Sequence, residues 1–267
     1  MKSSSEYFTG KQYHLGISPG DLAPYILLCG DPDRAVETTR HFDEIAFRGG
    51  HREFLTITGR YRGMPVSVMA TGIGPDNMEI AVIEASRCIK APTFIRIGSC
   101  GAIAEGVGLG DLVISARAIP RENTSSFYLP EGQTVSGSPD VIEALVVAAR
   151  KLEYIAHVGI TCSTSSFYAG QGREVPGFPI REEAKAKNLF PILVSQGVLN
   201  FEMETSALYT LAAISTLNLR VGTVCAVYAE RYDKKEVAWE LLGQAEQRCI
   251  KTGLEAALLI HNKDNQI

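Results

Sequence analysis

Apolar runs of strand length recur along the chain, most of them running into a glycine or a turn. They are YILLCG (25–30), FLTITG (54–59), PVSVMATG (65–72), TFIRIG (93–98), DLVISA (111–116), HVGITCS (157–163) and VGTVCAVYA (221–229). Several are almost continuously hydrophobic, the mark of strands covered on both faces. FLTITGRYRGMPVSVMA reads as a hairpin turning at Gly63, so the sheet is expected to be mixed. Between the runs, helical periodicity predicts helices over 77–90, 138–152, 181–188, 204–217 and 235–261, the last holding the single tryptophan, Trp239. Ser138 is the expected N-cap of the second helix, with Pro139 at its first position. Strands alternating with helices predict an α/β fold. No repeat or low-complexity linker interrupts the 267 residues, so one domain over 1–267 is expected.

Composition narrows the function. With 45% apolar and 21% charged residues the chain has the make-up of a soluble globular protein. A net charge of −4 speaks against nucleic acid as a partner, which calls for a basic stripe. No apolar run has the length of a membrane span, and MKSSSEYFTGKQYHLG lacks the apolar core of a secretory signal. The six cysteines (29, 88, 100, 162, 225, 249) show no metal-ligand spacing and read as reduced core residues of a cytoplasmic protein.

Polar residues in costly places carry the chemistry. Arg96 lies inside the buried run TFIRIG, where a guanidinium needs an anionic partner or ligand. Gly98, Ser99 and Gly101 follow it with an open backbone and a hydroxyl, while CGDPDR offers Gly30 and Arg34 at another strand end and GGHREF offers Arg52. Arginines, a hydroxyl and glycine turns suit an oxyanion such as phosphate. Ion pairing of Arg34, Arg52 and Arg96 with Asp31, Asp33 and Glu53, or a plain DPD turn, is the competing reading. ATGIGPDN has G-x-G but lacks the third glycine of a dinucleotide fingerprint, and reads as a tight turn with Asp76 or Asn77 capping the next helix. FYAGQGRE sets Gln171 and Arg173 behind Phe167 and Tyr168: one acceptor and several donors for a planar ring, or a polar surface loop. VLNFEMETSAL puts Glu202 and Glu204 among apolar residues. That is either a strand-to-helix junction with Glu204 in the first helical turn, or a carboxylate pair facing sugar hydroxyls instead of the core.

In this order, GDPDR, GHREF, TGIG, RIGSCGAI, FYAGQGR and NFEME resemble the nucleoside phosphorylases of the purine and uridine phosphorylase superfamily, from about residue 14 to 231. The resemblance implies a mixed, barrel-like central sheet flanked by helices. It also implies dimers assembled into a hexamer with shared active sites. It assigns phosphate to Gly30, Arg34, Arg96 and Ser99, with Arg52 from the neighbouring chain. Ribose falls to Glu202, Met203 and Glu204, with His14 of the neighbour; Gln171 and Arg173 read the base, which Phe167, Tyr228 and Ala229 line and Arg231 supports. The implied reaction is reversible phosphorolysis of uridine to uracil and ribose 1-phosphate, with Arg96, Gln171, Arg173 and Glu204 at its centre. Phosphate is the co-substrate; no metal or organic cofactor is implied, beyond a monovalent cation in some relatives near Glu53, Ile73 and Asn77. Three departures stand out. GPDN replaces a glycine-glycine-proline-serine loop, Ser99 stands where threonine is common, and Glu230 stands where purine-cleaving relatives place an aspartate and uridine-cleaving ones an asparagine. Purine phosphorolysis and a non-catalytic nucleoside binder are therefore the alternatives, and G-Q-x-R favours the pyrimidine.

Overall fold

The computed structural model describes residues 10–232, 235–236 and 239–266. The chain runs β1 (Tyr25–Cys29), α1 (Pro32–Thr39), β2 (Glu44–His51), β3 (Phe54–Tyr61), β4 (Met64–Ala70), α2 (Pro75–Cys88), β5 (Thr93–Ala102) and β6 (Leu112–Arg121). It continues through β7 (Val135–Ser136), α3 (Pro139–Lys151), β8 (Ala156–Thr164), α4 (Ala186–Ser195), β9 (Val198–Glu202), α5 (Thr205–Ile214), β10 (Arg220–Glu230), β11 (Lys235–Glu236) and α6 (Trp239–Asp264).

One mixed sheet organises these elements. β10 pairs with both β6 and β5, so the path β5–β9–β8–β6–β10 closes on itself as a five-stranded barrel. β1, β4, β3 and β2 extend the sheet outward from β5. Closure leaves those five strands without open edges. The core strands are buried at nearly every position in β1, β4, β5 and β10, as expected of strands covered on both sides. Two apolar clusters carry most of the burial, one under α3 and α6 through Leu27, Ile95, Leu145 and Leu254, the other under α2 and α5 through Ile26, Phe94, Met78 and Leu208.

The β3–β4 hairpin turns on Arg62 and Gly63, both at positive φ (50° and 81°), the geometry of a tight two-residue turn whose twist matches its strands. Several boundaries differ from those expected. The DPD stretch begins a helix: Asp31 is the N-cap of α1, accepting from Asp33 N at 2.9 Å, and Pro32 opens the first turn. α2 starts at Pro75 with Gly74 as N-cap, so neither Asp76 nor Asn77 caps it. Ser138 is the N-cap of α3, but its hydroxyl accepts from Val221 N (2.9 Å) and ties the helix to β10. The helix expected over 181–188 is a single 3-10 turn at Glu182–Ala184 followed by α4, which runs through Pro191. Lys187, whose carbonyl loses its helical partner there, is exposed, so water can satisfy it. The helix expected from 235 begins later: Lys235–Glu236 form β11, antiparallel to the end of β10, residues 237–238 lie outside the described residues, and α6 is described from Trp239. All six cysteines are buried and free.

Candidate active site

Strand register assembles the site. Leu28 of β1 pairs with Arg96 of β5, bringing the end of β1 beside the buried guanidinium, and β10 pairs along β5 from the other side with Thr223 opposite Arg96. β9 ends at Glu202 and α5 begins at Thr205, so the sharp 203–204 turn delivers two carboxylates to one place. Arg96 is clamped between them, Nε to Glu202 Oε2 at 3.0 Å and Nη2 to Glu204 Oε2 at 2.5 Å. The competing partners Asp31, Asp33 and Glu53 take no part in this cluster.

The two glutamates are not equivalent. Glu202 has a fully buried side chain and is saturated by protein donors: Arg96 Nε, the Ser163 hydroxyl, Glu204 N (2.9 Å) and Thr205 N (3.0 Å). In this structure it faces the core and Arg96, and the sequence-based alternative of a carboxylate facing a sugar does not describe its surroundings. Its charge is tolerated because every oxygen lone pair meets a donor. Glu204 sits at the N-cap position of α5, one place before the helical turn proposed for it, and makes no cap bond. It accepts from Gly74 N at 2.7 Å, so the 72–77 loop, with Gly74 at φ 110°, is an anchor for this carboxylate. Burial pushes the Glu204 carboxyl above its ordinary range, with Arg96 opposing and Glu202 reinforcing the shift. Burial also works against the Arg96 charge, but Glu204 and Glu202 outweigh it and keep the guanidinium protonated.

A cavity of about 530 Å³ opens beside this cluster, lined by Ile73, Gly74, Thr124, Phe127, Ser165 and Met203 among others. Arg34 of α1 is also buried, bonding Glu246 (2.8 Å), the Ile97 carbonyl (3.3 Å) and the Tyr228 hydroxyl (3.3 Å). Burial raises the Tyr228 phenol to about 12, against the pull of Arg34. Ser99 is half-buried in β5, and Gly30 leaves only 3.1 Å between an added Cβ and the Gly72 carbonyl. Arg52, His14 and Tyr13 lie elsewhere on the surface. Arg52 is exposed, with φ 57° in the β2–β3 turn and its guanidinium 5.7 Å over the Tyr13 ring; among the described residues no bond joins it to Arg96.

The 167–173 segment follows β8 and packs toward α4 and the end of β10. Gln171 is buried at the end of a 3-10 turn, its carbonyl accepting from Arg231 Nη2 (3.0 Å), and the Arg173 guanidinium lies 4.3 Å over the Phe167 ring. Gly172 is left-handed (φ 67°), and a Cβ there would lie 2.8 Å from Ala186 N, so the motif's central glycine packs the loop against α4. Arg231 also reaches over Phe190 of α4 (5.5 Å). In β10 the register slips at Tyr228, a bulge that breaks the alternation beyond Val227. Past it, the Glu230 carboxylate accepts from Leu109 N (3.0 Å), in the turn before β6. Ala229 is buried.

Near Glu53, Ile73 and Asn77, Glu53 accepts from the Asn77 amide (3.3 Å) and Ile73 is exposed. One carboxylate already sharing a donor is a thin oxygen set for a cation. No cluster of three or more His, Cys, Asp or Glu able to hold a metal occurs among the described residues. Sequence reasoning missed Ser163, Glu246, Ser165 and Thr124. Single hydroxyls and one acid on a long helix give no pattern until the fold brings Glu246 to Arg34, Ser163 to Glu202, and Ser165 and Thr124 to the cavity.

A closed mixed barrel, a buried arginine clamped by two carboxylates and a cavity lined by the residue between those carboxylates describe the candidate site. Residues 24–258 match the family model of the phosphorylase superfamily, and the chain belongs to that family. It is 46% identical over 222 residues to uridine phosphorylase of Thermococcus kodakarensis, covering 83% of this chain and 78% of that one. To uridine phosphorylase of Escherichia coli it is 32% identical, over 92% and 96% of the two chains. Guanosine phosphorylase of Halorubrum lacusprofundi is 30% identical over 81% of this chain and 83% of its own. Among solved structures, a Trypanosoma brucei nucleoside phosphorylase described as showing uridine phosphorylase activity superposes with a TM-score of 0.83 at 27% identity, over 93% of this chain and 97% of that one.

Proposed function

We propose that the chain is an enzyme catalysing reversible phosphorolysis of uridine to uracil and ribose 1-phosphate. The observation that carries this reading is Arg96, buried and clamped by Glu202 and Glu204, the two residues that flank Met203 of the cavity lining. Phosphate docks against Arg96, Arg34, Ser99 and the Gly30 turn. Arg96 commits Nε and Nη2 to the glutamates, and Nη1 carries two more N–H donors. Glu204 and the Met203 backbone take the ribose, because a carboxylate is the natural acceptor for a hydroxyl. Glu202 acts through Arg96, fixing its plane.

The chemistry needs no enzyme nucleophile. As the glycosidic bond stretches, positive character grows on the sugar and negative charge on the base. Arginine-held phosphate stabilises the first and then bonds to C1′. Gln171 and Arg173 meet the departing base with donors that the Gly172 packing and the Phe167 ring hold in place. Phe167, Tyr228, Ala229 and Arg231 wall the base pocket. His14 and Arg52, set together on the outer surface with Tyr13, complete the site of a neighbouring copy, within dimers that assemble into a hexamer. The enzyme works in cytoplasmic pyrimidine salvage; no helix among the described residues is long and apolar enough to cross a membrane. The purine reading rested on Glu230 as an acid. Its carboxylate is engaged by Leu109 N, and the Gln171/Arg173 pair matches a ring with carbonyls and an N–H.

Base release from uridine and from inosine, each with and without phosphate, followed by ultraviolet absorbance, tests this. Uridine cleavage that requires phosphate is the expected result. Cleavage without phosphate would make the enzyme a hydrolase, inosine cleavage alone would restore the purine reading, and tight nucleoside binding without turnover would leave a binding protein.

A further inference from the structure

Glu84 is a carboxylate on α2 that the site described above does not use, and it is nearly fully buried. A buried acid must be matched by donors. Its donors come from one place, the chain at His14: Oε2 accepts from His14 N (3.0 Å) and Leu15 N (2.9 Å), and Oε1 lies 2.7 Å from His14 Nδ1. An ionised carboxylate only accepts, so the ring proton must sit on Nδ1. In the neutral imidazole that makes Nε2 an acceptor. Nε2 has no hydrogen-bond partner among the described residues, and the side chain is one-third exposed (34%). The Tyr13 ring meets the imidazole edge-on at 4.8 Å, and His51 Nδ1 bonds the backbone carbonyl of Tyr13 (3.1 Å), which ties down the chain one residue before His14.

We infer that Glu84 is a positioning residue: it fixes the tautomer and orientation of His14 so that Nε2 is presented outward as an acceptor for a ribose hydroxyl of nucleoside bound in the neighbouring copy. The inference rests on the reading above that His14 completes that site. The second atom of the pair matters as much as the first. An imidazole with its proton on Nε2 would offer a donor to a hydroxyl, and one without Glu84 would sample several rotamers and lose the entropy of ordering on each binding event. A carboxylate behind a histidine plays the same part for metal-ligating histidines, where it fixes tautomer and ring plane.

The bland alternative is that Glu84 merely anchors the chain through two backbone N–H groups. Glu84→Gln separates the two. Its amide oxygen can still accept from both backbone groups, while its NH2 donates to Nδ1 and moves the ring proton to Nε2. The test is steady-state kinetics on wild type, E84Q, H14A and the double variant, with thermal midpoints and the 15N shifts of the His14 ring. The expected result is an Nδ1 proton in wild type and an Nε2 proton in E84Q. The nucleoside KM should rise about tenfold in E84Q, one hydrogen bond's worth, with phosphate KM and thermal midpoint unchanged. The double variant should be no worse than H14A. A wild-type proton on Nε2, an E84Q enzyme that loses only stability, or additive effects in the double variant would each overturn the inference. An H14A effect without an E84Q effect overturns it alone; no H14A effect on nucleoside KM removes the His14 reading as well.

Discussion

Replacing Glu202 by glutamine should unfold the protein more readily than it disturbs any ligand contact. Oε1 of Glu202 accepts from the Ser163 hydroxyl and Thr205 N, and Oε2 from Arg96 Nε, Glu204 N and Thr205 N. A glutamine must turn its NH2 toward one of these donor sets, so one group of donors meets another donor in a site with no access to water. Removing one partner of a buried ion pair costs about 3–5 kcal/mol, because the surviving charge keeps its desolvation penalty. Arg96 retains Glu204 at 2.5 Å, which places the expected loss at the lower end, about 3 kcal/mol. That is about a hundredfold in the folding equilibrium, and about 1 M in urea midpoint for a slope near 3 kcal/mol/M. The assay is urea unfolding of wild type, E202Q and E204Q at one protomer concentration, alongside uridine turnover. E204Q, which has fewer donors to disturb than E202Q, with Arg96 and Gly74 N chief among them, should keep more stability and lose more turnover. An E202Q protein within about 0.5 kcal/mol of wild type at unchanged slope would refute the reasoning, since surface-like tolerance cannot come from a saturated buried carboxylate.

Gly172→Ala should lower kcat/KM for uridine at least tenfold while leaving phosphate affinity intact, because the left-handed backbone costs an alanine about 1–2 kcal/mol and its Cβ would meet Ala186 N at 2.8 Å. Kinetics with each substrate varied in turn would check it. Asp264 is held below the ordinary aspartate range by its hydrogen bonds from Arg220 (2.6 Å and 2.9 Å), against its burial. A lowered carboxyl contributes stability that is present above the unfolded pKa of about 3.9 and fades as pH falls through the folded value. Thermal midpoints of Arg220→Met and wild type should therefore differ at pH 7 and converge toward pH 2–3.

Sequence periodicity located the covered strands, because continuous apolar runs need no partner to be recognised. Elements exposed to water were hidden by the same logic: β2, with no fully buried residue, carries no hydrophobic signature and was not expected at all. α1 was read as a turn, since Asp-Pro-Asp begins helices and turns alike until the residues after it are seen to pack. Residue chemistry picked out Arg96, Glu202 and Glu204 as charges where apolar residues belong, and Gln171 and Arg173 as a donor and acceptor set behind an aromatic pair. It did not say that Arg96 pairs with the two glutamates, from a strand more than a hundred positions away, instead of the nearby Asp31, Asp33 or Glu53.

The sequence by itself determined the class of fold, the unusual placement of its charges and the family the chain belongs to, because these are written in local order and spacing. Which charge meets which was decided only by the tertiary structure. Closure of the barrel through β10 and β5, the bulge at Tyr228 and the turn between β9 and α5 set the distances, and buried electrostatics depend on distance and on the last available donor. Two glutamates one residue apart therefore read alike along the chain, yet both close on Arg96, one saturated by the backbone and hydroxyl donors around it and the other reaching across to Gly74 N.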